Sequence, residues 1–358
     1  YTAKGQAIYD VRHLRADDCT CQHPEIVACI YCLFFFIFKS PCYNCGFKGF
    51  IPKFVMASNP VMELDIWKGE WGLPSIDVNC LEVMTYAKFS GTHLKTKSTN
   101  NPLRTPTGSL PVFQHENECL TKFGEISAYL RKNNHTADFE LSPKQCAEAF
   151  AYSHLIYEKL APALQFVWWI DSKNFVEFSR PLYAKLLPFP LNFYYPGQYE
   201  KHAKQLMVSL YPEEEDFSVI ETAVYRQAEE CLSLLATKLG EKEYFFGQSP
   251  SSLDAIVFAH LAPLLKAPLP SAALQNHLKA CTNLTRFVGR VLQRYFPKEL
   301  KEQEQKERQQ TAKQEAPCSD TDFPNKFRNI SIAALVSFIA MIAYATSIGI
   351  IQVIISGA

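Results

Sequence analysis

The sequence has no surplus of either charge. Its 358 residues include 36 Lys and Arg against 36 Asp and Glu, so the formal net charge is zero. Binding to a nucleic-acid backbone needs a basic surplus, and its absence argues against that function. Cysteine is too sparse, at 12 residues, for a small disulfide scaffold. The 47% hydrophobic content excludes disorder as the overall state and leaves a folded protein of one large or two ordinary domains.

Signature motifs of common catalytic chemistries are also missing. The chain contains no phosphate-binding loop, no Gly-x-Gly-x-x-Gly and no Gly-x-Ser-x-Gly. Its nine histidines show neither i,i+4 pairing nor another metal-ligand spacing. We therefore expect no metal site and no bound cofactor.

A long uncharged tail ends the chain. No charged residue follows Arg328, and an apolar run extends from Ile330 to Ile355. About 20 such residues in a helix cover the ~30 Å hydrocarbon core of a bilayer, whereas buried core helices are rarely so uniformly apolar. The sequence predicts a transmembrane tail anchor over residues 329–358, with Lys326 and Arg328 on its cytosolic side. The apolar residues that represent the anchor are Ile330, Leu335, Phe338, Ile342, Ile348 and Ile351.

Residues 298–328 form a charged segment before this tail. The stretch 301–308 contains no apolar residue, so it has nothing to bury. Charge pairs at i,i+4 add only about 0.2–0.5 kcal/mol each to a helix. We interpret residues 298–328 as a linker, and as a solvated tether rather than a transient helix.

The first 55 residues hold half of the cysteines. The spacing of Cys29 with Cys32, and of Cys42 with Cys45, would suit a tetrahedral zinc ion. A run of aromatic and aliphatic residues at 33–38 fills the loop where a zinc module carries polar residues. We interpret residues 1–55 as an unassigned, cysteine-rich extension that does not belong to the native fold, and a zinc site is the alternative.

The body begins with a β-rich half. Residues 62–67 alternate apolar and acidic side chains, which predicts a half-buried strand. Ser75 or Asp77 can cap a following helix that has Cys80, Val83 and other apolar residues on one face. A second strand, a proline-entered third strand, a hairpin and a helix near residues 124–131 complete a β-α-β-β-β-α order.

The second half of the body is helical. Ser142 and Ser251 each open a capping box at the start of a predicted helix. The helix after Ser251 is apolar almost all round, which predicts a central, buried position. Residues 188–196 contain three prolines and several aromatic side chains, and we interpret them as a rigid loop between helices.

These elements resemble the glutathione-transferase architecture. Ser-Leu-Pro-Val-Phe at residues 109–113 is similar to the family's cis-proline segment. The residues at 244–254, which end in Ser-Ser-Leu-Asp, are similar to its helical folding motif. Within the superfamily, residues 71–75, 129–132, 169–171 and 188–193 resemble metaxins. The resemblance covers about residues 62–297, and the C-terminal tail matches the membrane-anchored metaxin better than its anchorless relatives.

This resemblance implies a fold class and domain boundaries. We expect an α+β, thioredoxin-like N-terminal domain at residues 62–135. An all-α domain like the glutathione-transferase C-terminal domain should follow at residues 142–297, and a C-terminal transmembrane helix should end the chain.

The resemblance also allows the transferase chemistry to be tested residue by residue. Leu-Pro-Ser-Ile at residues 73–76 occupies the place of the catalytic cysteine motif, so that Ser75 is the one candidate for a transferase hydroxyl. A helix N-cap is the alternative role for Ser75. In the segment that grips glutathione, Lys122 and Phe123 stand where the family has a carboxylate and a hydroxyl. These replacements predict a protein that is not an enzyme.

Metaxin-like proteins of this kind imply a scaffold in the mitochondrial outer membrane with its body facing the cytosol. The implied role is in the sorting and assembly machinery, where β-barrel proteins are inserted and protein import is supported. The implied partners are a second, metaxin-2-like family member and the β-barrel subunit of that machinery. A membrane-tethered transferase that uses Ser75 is the alternative function.

A protein-binding role requires exposed apolar surface, because desolvation of the interface core supplies most binding energy. The candidate partner surface is the aromatic segment with Phe189, Phe193, Tyr194 and Tyr195. The alternative is that these rings close the helical core.

Overall fold

The computed structural model describes residues 61–106, 108–214 and 216–315, and in the tail Ala334, Leu335, Ser337, Phe338 and Met341. The extension at 1–55, including its cysteine pairs, lies outside these residues. So do the anchor residues Ile330, Ile342, Ile348 and Ile351. Leu335 and Phe338 are helical and exposed. Within the described part of the chain, no helix is long and apolar enough to cross a bilayer.

A four-stranded mixed sheet forms the first half of the body, with the strand order β2-β1-β3-β4. β1 is parallel to β2 and antiparallel to β3, which in turn pairs antiparallel with β4. Leu64 and Ile66 on β1 are buried, which confirms the predicted alternation. Pro111 follows a cis peptide bond, as the resemblance implied. The strands are β1 (Glu63–Ile66), β2 (Lys95–Ser98), β3 (Val112–His115) and β4 (Glu118–Leu120).

Two helices pack on this sheet, α1 (Val78–Phe89) and α2 (Phe123–Lys132). Asp77 is the N-cap of α1, since its Oδ2 accepts from the Cys80 N–H at 2.9 Å. Ser75 does not cap the helix, and its hydroxyl oxygen accepts from the Asp77 N–H at 3.3 Å. The order β-α-β-β-β-α is therefore confirmed, and the cap is the second of the two candidates.

The second half of the body is entirely helical in the described residues. A π-helical turn at Ile156–Leu160 joins the first two helices, and a second π turn occupies Phe175–Ser179. The helices are α3 (Pro143–Leu155), α4 (Ala161–Trp169), α5 (Ser172–Asn174), α6 (Arg180–Leu186), α7 (Leu191–Leu210), α8 (Phe217–Leu239), α9 (Ser252–Lys266), α10 (Ala273–Ala280), α11 (Thr282–Tyr295) and α12 (Pro297–Glu315).

Both predicted capping boxes are present. Ser142 and Gln145 exchange hydrogen bonds at the start of α3, and Ser251 and Asp254 do so at the start of α9. Asp254 is fully buried and also accepts from the Phe245 N–H at 3.0 Å, so one carboxylate holds the preceding loop against the helix. Twelve of the 15 residues of α9 are buried, which confirms its central position.

The prediction of a loop over residues 188–196 is wrong from Leu191 onwards, where α7 begins. Pro188 precedes the helix and Pro190 is its N-cap, so neither proline interrupts its hydrogen bonds. Pro196 lies inside α7 and removes one backbone donor, but it is buried against the core. Whether this segment forms a helix therefore depends on where each proline lies relative to the helix start, and not on the number of prolines.

The prediction of a solvated tether is also wrong for the first part of the linker. Residues Pro297–Glu315 form α12, and residues 316–328 lie outside the described residues. Leu300 packs partly buried against the loop before α1. A Cβ at Gly72, where φ is +76°, would lie 3.3 Å from Leu300 Cδ2, so this approach depends on glycine. Leu300 and the aliphatic part of Gln303 thus dock an otherwise polar helix at Gly72, which the absence of apolar residues at 301–308 does not reveal.

Candidate functional site

A cleft separates the carboxyl end of β1 and the start of α1 from the helical domain. α1 packs on α9 more extensively than any other described pair of elements. Beside this contact lies a cavity of about 140 Å³. It is lined by Ile76, Asp77, Val78, Asn79, Tyr157, Ala161, Leu164, Gln165, Trp168, Trp169, Tyr183 and His260. Sites for small ligands usually measure about 300–1,000 Å³, so this cavity is too small for a tripeptide.

The nucleophile candidates of the cleft are inaccessible. Ser75 is completely buried and does not line the cavity. Cys80 is also completely buried, and burial together with the nearby Asp77 charge raises the pKa of its thiol well above the usual value. A cysteine in that state is a thiol and not a nucleophilic thiolate. Neither side chain is placed for transferase chemistry.

The segment that would grip glutathione is occupied by other contacts. Lys122 precedes α2 and projects into solvent, with its Nζ 3.8 Å from Glu125 Oε1. The ring of Phe123 meets Tyr86 edge-on at 5.7 Å, so an aromatic contact fills the space of a hydroxyl. The arrangement agrees with the charge reversal and polarity loss predicted from the sequence.

A buried polar cluster next to the cavity was not predicted. Glu82 on α1 is 2% exposed, and its Oε1 accepts from the Tyr157 hydroxyl at 3.0 Å. His260 on α9 is 3% exposed, and its Nδ1 lies 2.9 Å from the carbonyl oxygen of Ile256. The distance between His260 Nδ1 and Glu82 Oε1 is 3.6 Å. Two features of the sequence could have indicated this cluster: the acidic Glu82 in the apolar helix α1, and the single histidine in the otherwise apolar helix α9.

Burial keeps this cluster neutral. It raises the pKa of Glu82 to about 8, an effect that the Tyr157 hydrogen bond opposes and the Asp77 charge reinforces. Burial also lowers the pKa of His260 to about 4. Near neutral pH, Glu82 is therefore a carboxylic acid and His260 an uncharged imidazole, so they do not form an ion pair.

The four residues of the predicted partner surface divide into two groups. Phe189, Phe193 and Tyr194 are 79%, 76% and 61% exposed, whereas Tyr195 is partly buried and packs against the core. The rings of Phe189 and Phe193 meet edge-on at 6.1 Å, and the Tyr195 ring lies 5.9 Å from that of Tyr199. Tyr195 therefore helps to close the helical core, and a partner surface stays a prediction for the three exposed rings. We call Phe189, Phe193 and Tyr194 the aromatic patch.

The mixed sheet, the cis proline and the following helical domain define a glutathione-transferase-like protein. Neither Ser75 nor Cys80 lines its cavity, and both are buried. A family model for the glutathione S-transferase C-terminal domain matches residues 228–291, in agreement with this fold. A second family model, described as outer mitochondrial membrane transport complex protein, matches residues 80–200.

Relatives identify the family. Metaxin-1 of Macaca fascicularis is 41% identical over 295 residues, which cover 82% of this chain and 92% of the relative. Metaxin-3 of Danio rerio is 42% identical over 237 residues, or 66% of this chain and 76% of the relative. The chain therefore belongs to the metaxin family, as its motifs predicted. A solved glutathione transferase from Populus trichocarpa aligns with 12% identity and a TM-score of 0.44, covering 68% of this chain and 99% of the transferase. The fold assignment does not depend on that likeness.

The occupied clasp and the small cavity predict that glutathione is not bound. The detergent-solubilised full chain should pass through immobilised glutathione, because Lys122 repels the ammonium of the γ-glutamyl group and Phe123 excludes its polar contacts. An active glutathione transferase on the same resin is the positive control. Calorimetry that gave a micromolar to millimolar dissociation constant for glutathione would contradict this prediction.

The neutral state of Glu82 predicts how stability depends on pH. The folded-state pKa of about 8 lies above the usual value of 4.5, so the stabilisation is complete below pH 4.5 and is lost as the pH rises from there through 8. Replacing Glu82 with Gln keeps the acceptor for Tyr157 but removes the ionisation. From about pH 6.5 to 9, the unfolding free energy of the wild type should fall by on the order of a few kcal/mol more than that of Glu82→Gln.

Urea unfolding at several pH values measures this difference. The matched control is Glu125→Gln, which removes an exposed carboxylate from α2. It should keep the pH dependence of the wild type. Parallel pH profiles for the wild type and Glu82→Gln would show that Glu82 is already ionised in the folded protein. His260 changes the stability mainly between its folded-state pKa of about 4 and its usual value of 6.5, which lies on the acidic side of this range, and both proteins share its contribution.

Proposed function

We propose that this chain is a non-enzymatic, tail-anchored scaffold of the sorting and assembly machinery in the mitochondrial outer membrane. There it supports the insertion of β-barrel proteins and protein import. The observation that carries the proposal is membership of the metaxin family, together with the match of residues 80–200 to outer mitochondrial membrane transport complex proteins. That match begins in α1 and extends into α7, so it includes the aromatic patch and only the part of the cavity lining between Tyr157 and Tyr183.

The chemistry of the cleft supports a scaffold over the alternative of a transferase that uses Ser75. The Ser75 hydroxyl is buried, and the cavity beside it is small. A transferase must bring a substrate into contact with its nucleophile, and this geometry does not allow that contact. The fold is then a rigid support for protein contacts rather than a reaction site.

The tail supplies the proposed membrane attachment. Residues 329–358 are uncharged and long enough in helical form to span a bilayer, and Lys326 and Arg328 precede them. The basic residues before the tail support a body that faces the cytosol. The proposed partners are a second, metaxin-2-like protein and the β-barrel subunit of the machinery.

The aromatic patch is the proposed contact with the second metaxin. Phenylalanine side chains that are exposed to water are unfavourable in free energy, and a partner that covers them removes this unfavourable exposure. The patch lies at the start of α7, where Tyr195 and Pro196 pack inward and hold the helix in place. The neighbouring exposed rings are thereby presented on a rigid element, which lowers the entropy lost on binding.

Deletion of residues 329–358 tests the scaffold role. The truncated body should appear in the cytosol, and assembly of newly imported β-barrel proteins should fall, because the scaffold no longer reaches the membrane. Replacing the tail with an unrelated mitochondrial tail anchor is the control, and it should restore both attachment and assembly. Carbonate extraction of the intact chain from membranes would contradict integral anchoring, and unchanged β-barrel assembly after deletion would contradict the function.

Substitution of the aromatic patch tests the partner contact. The double variant Phe189→Ser, Phe193→Ser should keep its melting temperature, because both rings are exposed. It should bind the second metaxin about 30-fold more weakly or worse, since losing anchor rings costs ~2 kcal/mol or more. Phe150→Ser is the control on another helix, where the ring is 68% exposed, and should bind normally.

Tyr195→Ser gives the opposite pattern and separates binding from folding. Its ring packs against the core, so the melting temperature should fall. Undiminished complex formation by the Phe189 and Phe193 double variant would remove the patch from the interface.

A further inference from the structure

The cavity beside α1 has no role in the proposed scaffold, yet its described lining contains an acidic side chain and no Lys or Arg. Among the described residues that line it, none is Lys or Arg, whereas Asp77 contributes a carboxylate. Asp77 forms no ion pair with a described residue, and shielding from solvent raises the pKa of its carboxyl group despite the helix-capping hydrogen bonds. The cavity therefore offers negative charge with no cationic side chain on its walls to balance it.

His260 adds an unused acceptor to this wall. Its Nδ1 must donate to the carbonyl oxygen of Ile256 at 2.9 Å, because a carbonyl oxygen can only accept. In the neutral imidazole the other nitrogen, Nε2, then carries a lone pair. Nε2 has no hydrogen-bond partner in the described part of the chain. His260 lines the cavity and is only 3% exposed. An acceptor that has no protein donor and belongs to a residue of the cavity wall is free to bind a ligand that carries N–H or O–H groups.

Aromatic rings complete the lining. Trp168, Trp169 and Tyr183 retain 8%, 7% and 7% exposure, and all three line the cavity. Aromatic faces attract cations, with Trp the strongest of the common rings. The same rings exclude water, which strengthens the attraction between a buried cation and the Asp77 carboxylate.

We propose that this cavity binds a small organic ammonium ion, which donates to Asp77 and His260 Nε2 and packs its alkyl part against the two tryptophans and Tyr183. The volume of about 140 Å³ suits five or six non-hydrogen atoms, because a cavity of about 150 Å³ holds one benzene molecule. A helix N-terminus can also attract an anion. At the N-terminus of α1, however, the Asp77 carboxylate already caps the helix and would repel an anion.

A pair of probes of equal size tests the charge requirement without any substitution. tert-Butylammonium and tert-butanol have the same shape and differ in charge and donor number. Calorimetric titration of the detergent-solubilised full chain near pH 7 should give tert-butylammonium a dissociation constant of about 1 mM, reasonable for five non-hydrogen atoms. tert-Butanol should bind at least about tenfold more weakly. Equal affinity for the two probes, or no heat with tert-butylammonium up to about 50 mM, would overturn the proposal.

A matched pair of cap variants tests the role of Asp77. Asp77→Asn keeps a good N-cap residue but removes the charge, and should weaken tert-butylammonium binding about tenfold or more. Asp216→Asn makes the same change at the exposed N-cap of α8 and should bind like the wild type. Wild-type affinity in a folded Asp77→Asn protein would overturn the proposal. The probe pair still decides the question if Asp77→Asn does not fold.

The ammonium group has two possible sources, a free amine or the lysine side chain of a bound protein. Nα-acetyl-lysine methylamide distinguishes them, because its four-carbon stem fits the cavity only if the backbone can remain at the mouth. Binding within about tenfold of tert-butylammonium supports the site and assigns it to a lysine of a protein partner. Selective binding of tert-butylammonium supports the site and assigns it to a free amine.

Discussion

Helix α1 packs along α9 with a carboxylic acid, Glu82, enclosed between the two halves of the body. The acid is neutral because burial raises its pKa, and its hydrogen bond from Tyr157 reaches across from the helical domain. Both halves therefore share one continuous core, and α1 cannot shift without exposing or unpairing this group. The cavity lies beside that contact. The polar cluster makes the interface specific, while the surrounding apolar residues supply most of its stability.

The same contact also shapes the cleft of this transferase-like architecture. The helix that would present a nucleophile still begins beside the cleft, but Asp77 caps it and Ser75 is buried beneath the cap. Trp168, Trp169 and Tyr183 line what space remains. A cleft with an unpaired carboxylate and aromatic walls selects cationic groups and disfavours the anionic tripeptide that the fold is known to hold. Fold and function are therefore separable in this chain.

Function at a membrane depends on elements that lie outside the core. α12 docks through Leu300 at Gly72, so the route from the body toward the tail starts from a defined place. The aromatic patch is fixed in a similar way, since Tyr195 and Pro196 pack inward while Phe189 and Phe193 point to solvent. In both cases one buried residue sets the position of neighbours that are polar or exposed. A small number of apolar contacts thus sets the orientation of surfaces whose own residues are polar or exposed.

Local patterns in the sequence determined the order of strands and helices along the first half of the body, both capping boxes and the central place of α9, because hydrophobic periodicity and cap chemistry act within a few residues. The motifs also identified the metaxin family, and the exchanges at Lys122 and Phe123 indicated the loss of the glutathione clasp. Only the tertiary structure decided that Glu82, Tyr157 and His260 meet, that Asp77 rather than Ser75 caps α1, and that three aromatic residues are exposed while Tyr195 is not. It likewise showed that the proline-rich segment is helical from Leu191 onwards and that the charged linker is helical as far as Glu315. These outcomes depend on contacts between residues far apart in the chain, and no local pattern records which distant side chain will cover a given face.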